Sequence, residues 1–258
     1  MEILFSFLIC LLATTIGGIS GVGGGVIIKP VLDATSGMPV ATVSFLSGCT
    51  VLAMTITSML RSRGGEVKVE PRRGTLLAIG AAVGGVVGKE LFELVRASGG
   101  SAVSVAQQVM MIVLTLGVLV YTLNRPRIAA KDVKNPAACV TIGLVLGLLS
   151  AFLGIGGGPI NLAVLYYFFS MDTKTAALNS LYIILFSQGA SFLNTILRGT
   201  VPEFQWPVLI VMVIGGIVGG TLGRSISKRL SNSGVDRLFF WLLIAITGIS
   251  CYNLVRCV

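Results

Sequence analysis

Apolar runs of about 20 residues alternate with short polar loops along most of the chain. Runs such as 3–20, 40–60 and 103–124 have the length that a transmembrane helix needs. Two shorter apolar runs each follow a cluster of glycines, VIIKPVL at 26–32 and PINLAVLYYFF at 159–169. The pattern predicts an all-α polytopic membrane protein with about 8–10 membrane segments, of which these two are half-helices.

The glycine clusters GVGGG, at 21–25, and GIGGG, at 154–158, organise this pattern. Consecutive glycines are unfavourable inside a helix, because each loses more backbone freedom on ordering than any other residue. We therefore predict two chain breaks within the membrane. Irregular backbone at membrane depth is tolerated where it is buried in protein or lines a cavity, so a polar cavity is expected beside the breaks.

The second half of the chain repeats the order of the first. Gly21, Met38 and Ser47 match Gly154, Met171 and Ser180 at a spacing of 133 positions. Glycine-spaced helices at 75–95 and 208–223 and the ends of both halves match at similar spacings. The small residues of these two helices are predicted to line close helix–helix contacts. This order indicates an internal duplication, which is characteristic of secondary transporters. We divide the chain into a first transmembrane repeat at 1–125, a basic linker at 126–137 and a second repeat at 138–258.

The number of membrane crossings in each repeat decides how the two repeats are oriented relative to each other. If the short run after the glycines does not cross, each repeat has four spans and both point the same way. If it crosses as a half-helix, or folds back with the first run as a hairpin, the count is odd and the repeats are inverted. With an odd count, most of the 19 Lys and Arg residues fall on one side, in segments such as 61–73, 125–135 and 224–237. Cytoplasmic loops are rich in Lys and Arg, so the inverted arrangement is favoured.

Composition narrows the function. The chain is 54% hydrophobic and 11% charged, whereas a soluble domain carries about 25% charged residues. Basic loops facing the cytoplasm explain the net charge of +9, so no nucleic-acid partner is predicted. The opening segment lacks the basic start of a secretory signal and is expected to be the first membrane segment.

The chain has no histidine, which removes His-based metal sites and Ser–His or Cys–His nucleophile pairs. Its five cysteines lack CxxC spacing. The sequence thus shows no catalytic machinery, and we predict no enzymatic activity, no cofactor and no metal ion.

The paired signatures GVGGGVIIKPVL and GIGGGPINLAVL, each after an apolar first helix, resemble those of the TauE/SafE family of sulfite exporters and sulfonate permeases. The similarity extends over the whole chain, including the repeat and the basic central loop. It implies a secondary transporter in the cell (inner) membrane that moves small sulfur-containing anions such as sulfite or organosulfonates. The alternatives are an anion channel, in which the breaks would form a filter, and a membrane protein without transport activity.

The expected backbone geometry of the breaks also predicts an anionic substrate. A half-helix that starts after a glycine turn directs free N–H groups at the break, and such turns form anion-binding concavities. Lys29 is a charge inside a membrane segment, which is costly unless the charge is paired or functional. It is either a counter-charge for substrate or a structural partner of Asp33, four residues on. The predicted substrate-binding residues are Gly23, Gly24, Gly25, Lys29, Ser47, Gly156, Gly157, Gly158, Asn161, Asn179 and Ser180.

Overall fold

The computed structural model describes residues 2–62, 67–98 and 100–257, so part of the basic loop at 61–73 lies outside the described residues. Within the described residues the chain forms ten α-helices and one short 3-10 turn, Arg125–Arg127. The helices are α1 (Glu2–Ser20), α2 (Gly25–Thr35), α3 (Val40–Ser62), α4 (Pro71–Ser98), α5 (Gly100–Asn124), α6 (Pro136–Leu153), α7 (Gly158–Phe169), α8 (Thr173–Leu197), α9 (Trp206–Arg229) and α10 (Asn232–Cys257).

The predicted fold class is confirmed. Eight of the described helices are long and apolar enough to cross a membrane. The other two, α2 and α7, have 11 and 12 residues and follow the two glycine clusters, as the half-helices were predicted to do. An α-helix rises 1.5 Å per residue, so each covers roughly half of a bilayer core.

One end of the helix bundle carries the central linker, and we call it the linker end. Arg73, at the start of α4, forms an ion pair with Asp132 of the linker at 2.8 Å. The Lys228 amino group, near the end of α9, donates a hydrogen bond to the carbonyl of Arg61 at 3.3 Å. The described parts of the three basic segments therefore meet at this end, as the inverted arrangement requires.

The opposite end, where α3 begins, is called the cavity end for the feature described below. The Thr42 hydroxyl, in the first turn of α3, donates to the carbonyl of Glu203 at 3.0 Å. Arg198, which follows α8, pairs with Glu90 of α4 at the same end.

Equivalent helices of the two halves run in opposite directions. Helix α3 begins at the cavity end, whereas α8 begins at the linker end, where the Thr173 hydroxyl donates to Asp236 at 2.8 Å. Helices α1 and α2 form a hairpin that returns to the cavity end, and α6 and α7 form one that returns to the linker end. This geometry is consistent with two inverted repeats.

Glycine-mediated contacts interlock the two halves. A Cβ atom added to Gly84 of α4 would run into the carbonyl of Leu144 on α6, and one added to Gly147 of α6 would meet Ala81 of α4. The same arrangement holds α9 against α1, where Gly223 lies against Thr15. Small residues at such contacts let helix backbones approach closely, which is the role predicted for the glycine-spaced helices.

The polar residues between helices explain where several helices begin. The Asn135 side chain accepts a hydrogen bond from the Ala137 backbone N–H, and Pro136 occupies the first position of α6. The Asp172 carboxylate caps α8 in the same way. Capping side chains satisfy N–H groups that have no partner within the helix.

Candidate functional site

The two glycine breaks meet in the middle of the bundle. A Cβ atom added to Gly25, which begins α2, would run into the carbonyl of Ile155 in the second break. One added to Gly158, which begins α7, would run into the side chain of Val26. The N-termini of both half-helices therefore lie side by side.

Apolar side chains from the centres of α3 and α8 lie against both breaks. A Cβ atom on Gly23 would lie 3.3 Å from Ile184 and 3.8 Å from Val51, and one on Gly156 would lie 3.0 Å from Val51 and 3.6 Å from Ile184. Val51 and Ile184 are themselves 133 positions apart, as equivalent residues of the repeat should be. In this structure the junction is packed, and no open space lies above Gly23 or Gly156.

The middle glycines of the two clusters differ in backbone conformation. Gly157 has a φ of +107°, in the region that favours glycine. Gly24 has a φ of −70°, which any residue adopts. What Gly24 provides is close approach to α1, because an added Cβ would lie 2.6 Å from the Thr14 methyl group and 3.1 Å from its Cα.

The predicted serines, equivalent in the repeat, are used differently. The Ser180 hydroxyl donates a hydrogen bond of 2.6 Å to the carbonyl of Gly21 and so ties α8 to the first break. The buried Ser47 hydroxyl has no hydrogen-bond partner in the described structure. At the second break, Ser44 instead lies beside Gly154, where an added Cβ would be 2.8 Å from the hydroxyl oxygen.

The predicted asparagines lie at different depths. Asn161 is buried in α7 next to Gly157, and its carbonyl oxygen has no hydrogen-bond partner in the described structure. Asn179 lies near the linker end, where its amide donates to the Thr175 carbonyl at 2.9 Å and accepts from the Glu70 N–H at 3.2 Å. The structure thus places Asn161 at the second break, whereas Asn179 of α8 contacts the segment before α4.

Lys29 pairs with Asp33 within α2. Its amino group lies 2.8 Å from one carboxylate oxygen, and the side chains are only 3% and 10% exposed. The Lys29 stem also reaches the second break, because a Cβ atom on Gly154 would lie 3.3 Å from its Cε. An ammonium group has three N–H donors, so pairing with Asp33 leaves donors for a further acceptor.

A cavity of about 480 Å³ opens beside this pair at the cavity end. That volume is many times the roughly 30 Å³ of a water molecule. The residues that line it come from α2, α3, α5, α10 and the connection after α2: Lys29, Asp33, Ala34, Thr35, Gly37, Met38, Val40, Gln107, Gln108 and Asn253. The predicted polar cavity thus exists, but it lies along α2 rather than directly above the glycines.

Three amide side chains fix the walls of this cavity. Gln107 donates to the carbonyl of Phe152 at 2.6 Å, Asn253 to that of Pro30 at 2.8 Å, and Gln108 to Asp33 at 3.4 Å. Sequence reasoning missed all three. The available signals were an adjacent pair of glutamines early in one apolar run and a lone asparagine late in another, both costly in a membrane unless they are used.

A carrier of polar solutes requires a membrane-spanning bundle with a polar cavity inside it. The described residues supply eight membrane-length helices and a polar cavity that reaches a buried lysine, so the class is that of membrane transporters. A model of the family described as "Sulfite exporter TauE/SafE" matches residues 6–250, and the chain belongs to that family.

Relatives agree with this class. The chain is 25% identical over 259 residues to the "Probable membrane transporter protein YunE" of Bacillus subtilis, covering 92% of each chain. It is 29% identical over 109 residues to a "Probable membrane transporter protein" of Xylella fastidiosa, covering 41% of this chain and 40% of the relative. A 31% identical stretch of 102 residues matches the "Probable membrane transporter protein MamO" of Magnetospirillum gryphiswaldense, covering 38% of this chain and 16% of that relative. No solved structure matches the chain.

Proposed function

We propose that the protein is a secondary transporter of the cell (inner) membrane that moves small sulfur-containing anions such as sulfite or organosulfonates. The observation that carries this proposal is the cavity of about 480 Å³ that leads to the buried amino group of Lys29 beside the second glycine break. The family name supports the substrate class. The buried amino group and the amide side chains of the cavity support a negatively charged substrate.

Lys29 would bind the anion without leaving its own partner. The ion pair with Asp33 neutralises the charge of Lys29 beside the cavity, which lowers the cost of a charge at membrane depth. An entering anion would accept hydrogen bonds from the remaining N–H donors of the ammonium group and from the amides of Gln107 and Gln108, which replace part of its hydration shell.

The glycine breaks would contribute by positioning helix ends. The N-termini of α2 and α7 carry partial positive charge, and the breaks bring both to the middle of the bundle. An anion that reaches Lys29 is therefore also close to the second break, at Gly154. In this proposal Gly23–Gly25, Gly156–Gly158, Ser47, Asn161 and Ser180 shape the inner wall of the site, and Asn179 acts through the segment before α4.

The test is uptake into vesicles reconstituted with the purified protein, using labelled sulfite, thiosulfate, sulfoacetate, taurine and chloride. We expect saturable flux of at least one sulfur-containing anion, and faster uptake when the same anion is preloaded inside. Flux without saturation or counter-transport would indicate a channel. If none of the sulfur-containing solutes moves, the protein is not the transporter proposed here.

Two variants connect that flux to the site. Lys29→Met with Asp33→Asn removes both charges together, so no unpaired charge remains buried, and transport of the anion should fall at least tenfold. Arg198→Gln with Glu90→Gln removes an exposed pair at the same end and serves as the matched control. Equal transport by the two double variants would remove Lys29 from the site.

A further inference from the structure

The equivalent of the cavity in the second half of the chain is filled and closed. Asp33, Ala34 and Thr35 line the cavity at the end of α2, and the residues 133 positions later, at the end of α7, are Tyr166, Tyr167 and Phe168. We call these three the aromatic plug.

Tyr166 is buried, and its neighbours Tyr167 and Phe168 are partly buried. Tyr166 is 3% exposed, and Phe239 of α10, at 1% exposure, belongs to the same buried apolar cluster.

Near the ends of the two halves the matching residues are 131 positions apart, as Gly117 and Gly248 are. At that spacing Phe239 stands at the repeat position of Gln108, which borders the cavity in the first half. The same pair of sites is therefore open and polar at one end of the protein and closed and aromatic at the other.

Side chains from four elements hold the plug in place. The Arg125 guanidinium lies 3.8 Å from the centre of the Tyr166 ring and 3.3 Å from Asp236 at the start of α10. The hydroxyl of Thr173, the first residue of α8, donates to the same carboxylate oxygen at 2.8 Å. We call Arg125, Tyr166, Thr173 and Asp236 the linker-end lock.

The linker also crosses the end of α7. The backbone N–H groups of Lys131 and Val133 donate to the carbonyls of Tyr167 and Phe168 at 2.6 and 2.9 Å. The Ser170 hydroxyl donates to the Lys131 carbonyl at 3.0 Å. Last-turn carbonyls have no partner within their own helix, so the linker satisfies groups that would otherwise need water or lipid headgroups.

Resting on the transport function proposed above, we propose that the linker-end lock is the closed gate of the translocation pathway and that its release opens α7 toward the linker end. A transporter with inverted repeats exposes its central site to one side at a time by moving one set of elements against the other. The half-exposed ion pair of the lock contributes little stability, and the cation–π contact contributes only modestly more. Because these contacts are weak, the closure is reversible.

The experiment measures access to both ends and uses no substrate. In a background that lacks the native cysteines, Leu162→Cys on α7 reports opening at the linker end, and Val40→Cys reports access to the cavity. Leu162 is fully buried and stands at the repeat position of Lys29, so a water-soluble maleimide should label it only when α7 moves. Labelling rates are compared in membranes of both orientations.

Arg125→Gln and Asp236→Asn should each raise the labelling rate at Leu162→Cys roughly fivefold or more and lower the rate at Val40→Cys. Arg125→Lys, which keeps the charge but not the stacked guanidinium, should give an intermediate rate. Arg229→Gln removes an exposed positive charge at the same end of the bundle and should change neither rate. Size-exclusion profiles and melting temperatures check that each variant is folded.

An unchanged rate at Leu162→Cys in both lock variants would show that the plug is a fixed wall, and would overturn the proposal. A rise at both reporter positions would indicate local unfolding instead of coupled opening, and would also overturn it. Because no anion is present, these outcomes are independent of whether sulfite or a sulfonate is the substrate.

Discussion

The ends of α2 and α7 occupy equivalent places in the two halves, yet one borders a cavity and the other is a plug. At the end of α2 a buried ion pair and amide side chains surround open space. At the end of α7 aromatic rings fill the corresponding space, and a half-exposed ion pair covers them. The arrangement of the helices, which is equivalent in the two halves, therefore does not decide which end is open. Side-chain size and the depth of the charges decide it.

The largest expected effect concerns which side of the membrane each end of the bundle faces. If the linker end faces the cytoplasm, cysteines placed at Lys68 and Lys228 should both be labelled from the cytoplasmic side, and one placed at Glu203 from the other side. The result is close to all-or-none, because a charged maleimide does not cross the bilayer. Labelling of Lys68→Cys and Lys228→Cys from opposite sides would refute the inverted arrangement and the comparison built on it.

The second effect contrasts the two ion pairs. Lys29→Met leaves Asp33 buried without its partner and should lower the free energy of unfolding by about 3–5 kcal/mol. Asp236→Asn breaks a half-exposed pair and should cost at most about 1 kcal/mol. Thermal unfolding in detergent measures both. The double variant of Lys29→Met and Asp33→Asn should recover most of the loss, and its failure to do so would show that Lys29 acts through other contacts.

The third effect contrasts the two glycine breaks. Gly157→Ala forces an alanine to a φ of +107°, which should cost about 1–3 kcal/mol. Gly24→Ala has no such strain, but its methyl group would press on Thr14, at a cost of about 1–3 kcal/mol. Thr14→Ser removes the nearest methyl group. In thermal unfolding in detergent it should partly restore the stability of Gly24→Ala but not that of Gly157→Ala. Equal rescue of both would contradict this assignment.

The smallest effect concerns the linker. Hydrogen bonds from Lys134 and Arg73 hold the pKa of the Asp132 carboxylate below its usual value of 3.8. A lowered folded-state pKa contributes stability above pH 3.8, and that contribution is lost as the pH falls through the lowered value. Because Asp132 is exposed, Asp132→Asn should reduce the melting temperature only slightly at pH 7 and not at all at low pH. A loss that persists at low pH would exclude ion pairing as its cause.

Hydrophobic patterning was enough to predict the fold class, because the bilayer imposes a length on each apolar run and tolerates few charges within it. The half-helices after GVGGG and GIGGG followed from the same reasoning, since glycine clusters interrupt helices in any context. The close packing of Gly84 against Leu144 and of Gly223 against Thr15 followed from the spacing of small residues.

The location of the cavity did not follow from the sequence. The glycines were expected to border it, but Val51 and Ile184 pack against Gly23 and Gly156, and nothing local in the chain shows that these side chains converge there. Gln107 and Asn253 join the cavity wall through contacts with Phe152 and Pro30, which are far away in the sequence.

The sequence by itself determined the membrane-spanning helices, their breaks and the crowding of positive charge at one end, because each depends on local composition and on the physics of the bilayer. Tertiary structure alone decided that Arg125 lies over Tyr166, that Lys29 reaches Gly154, and that one end of the repeat encloses space while the other is filled. Those features depend on which side chains meet across the interlocked halves, and pairwise packing between distant segments leaves no periodic signal in a single chain.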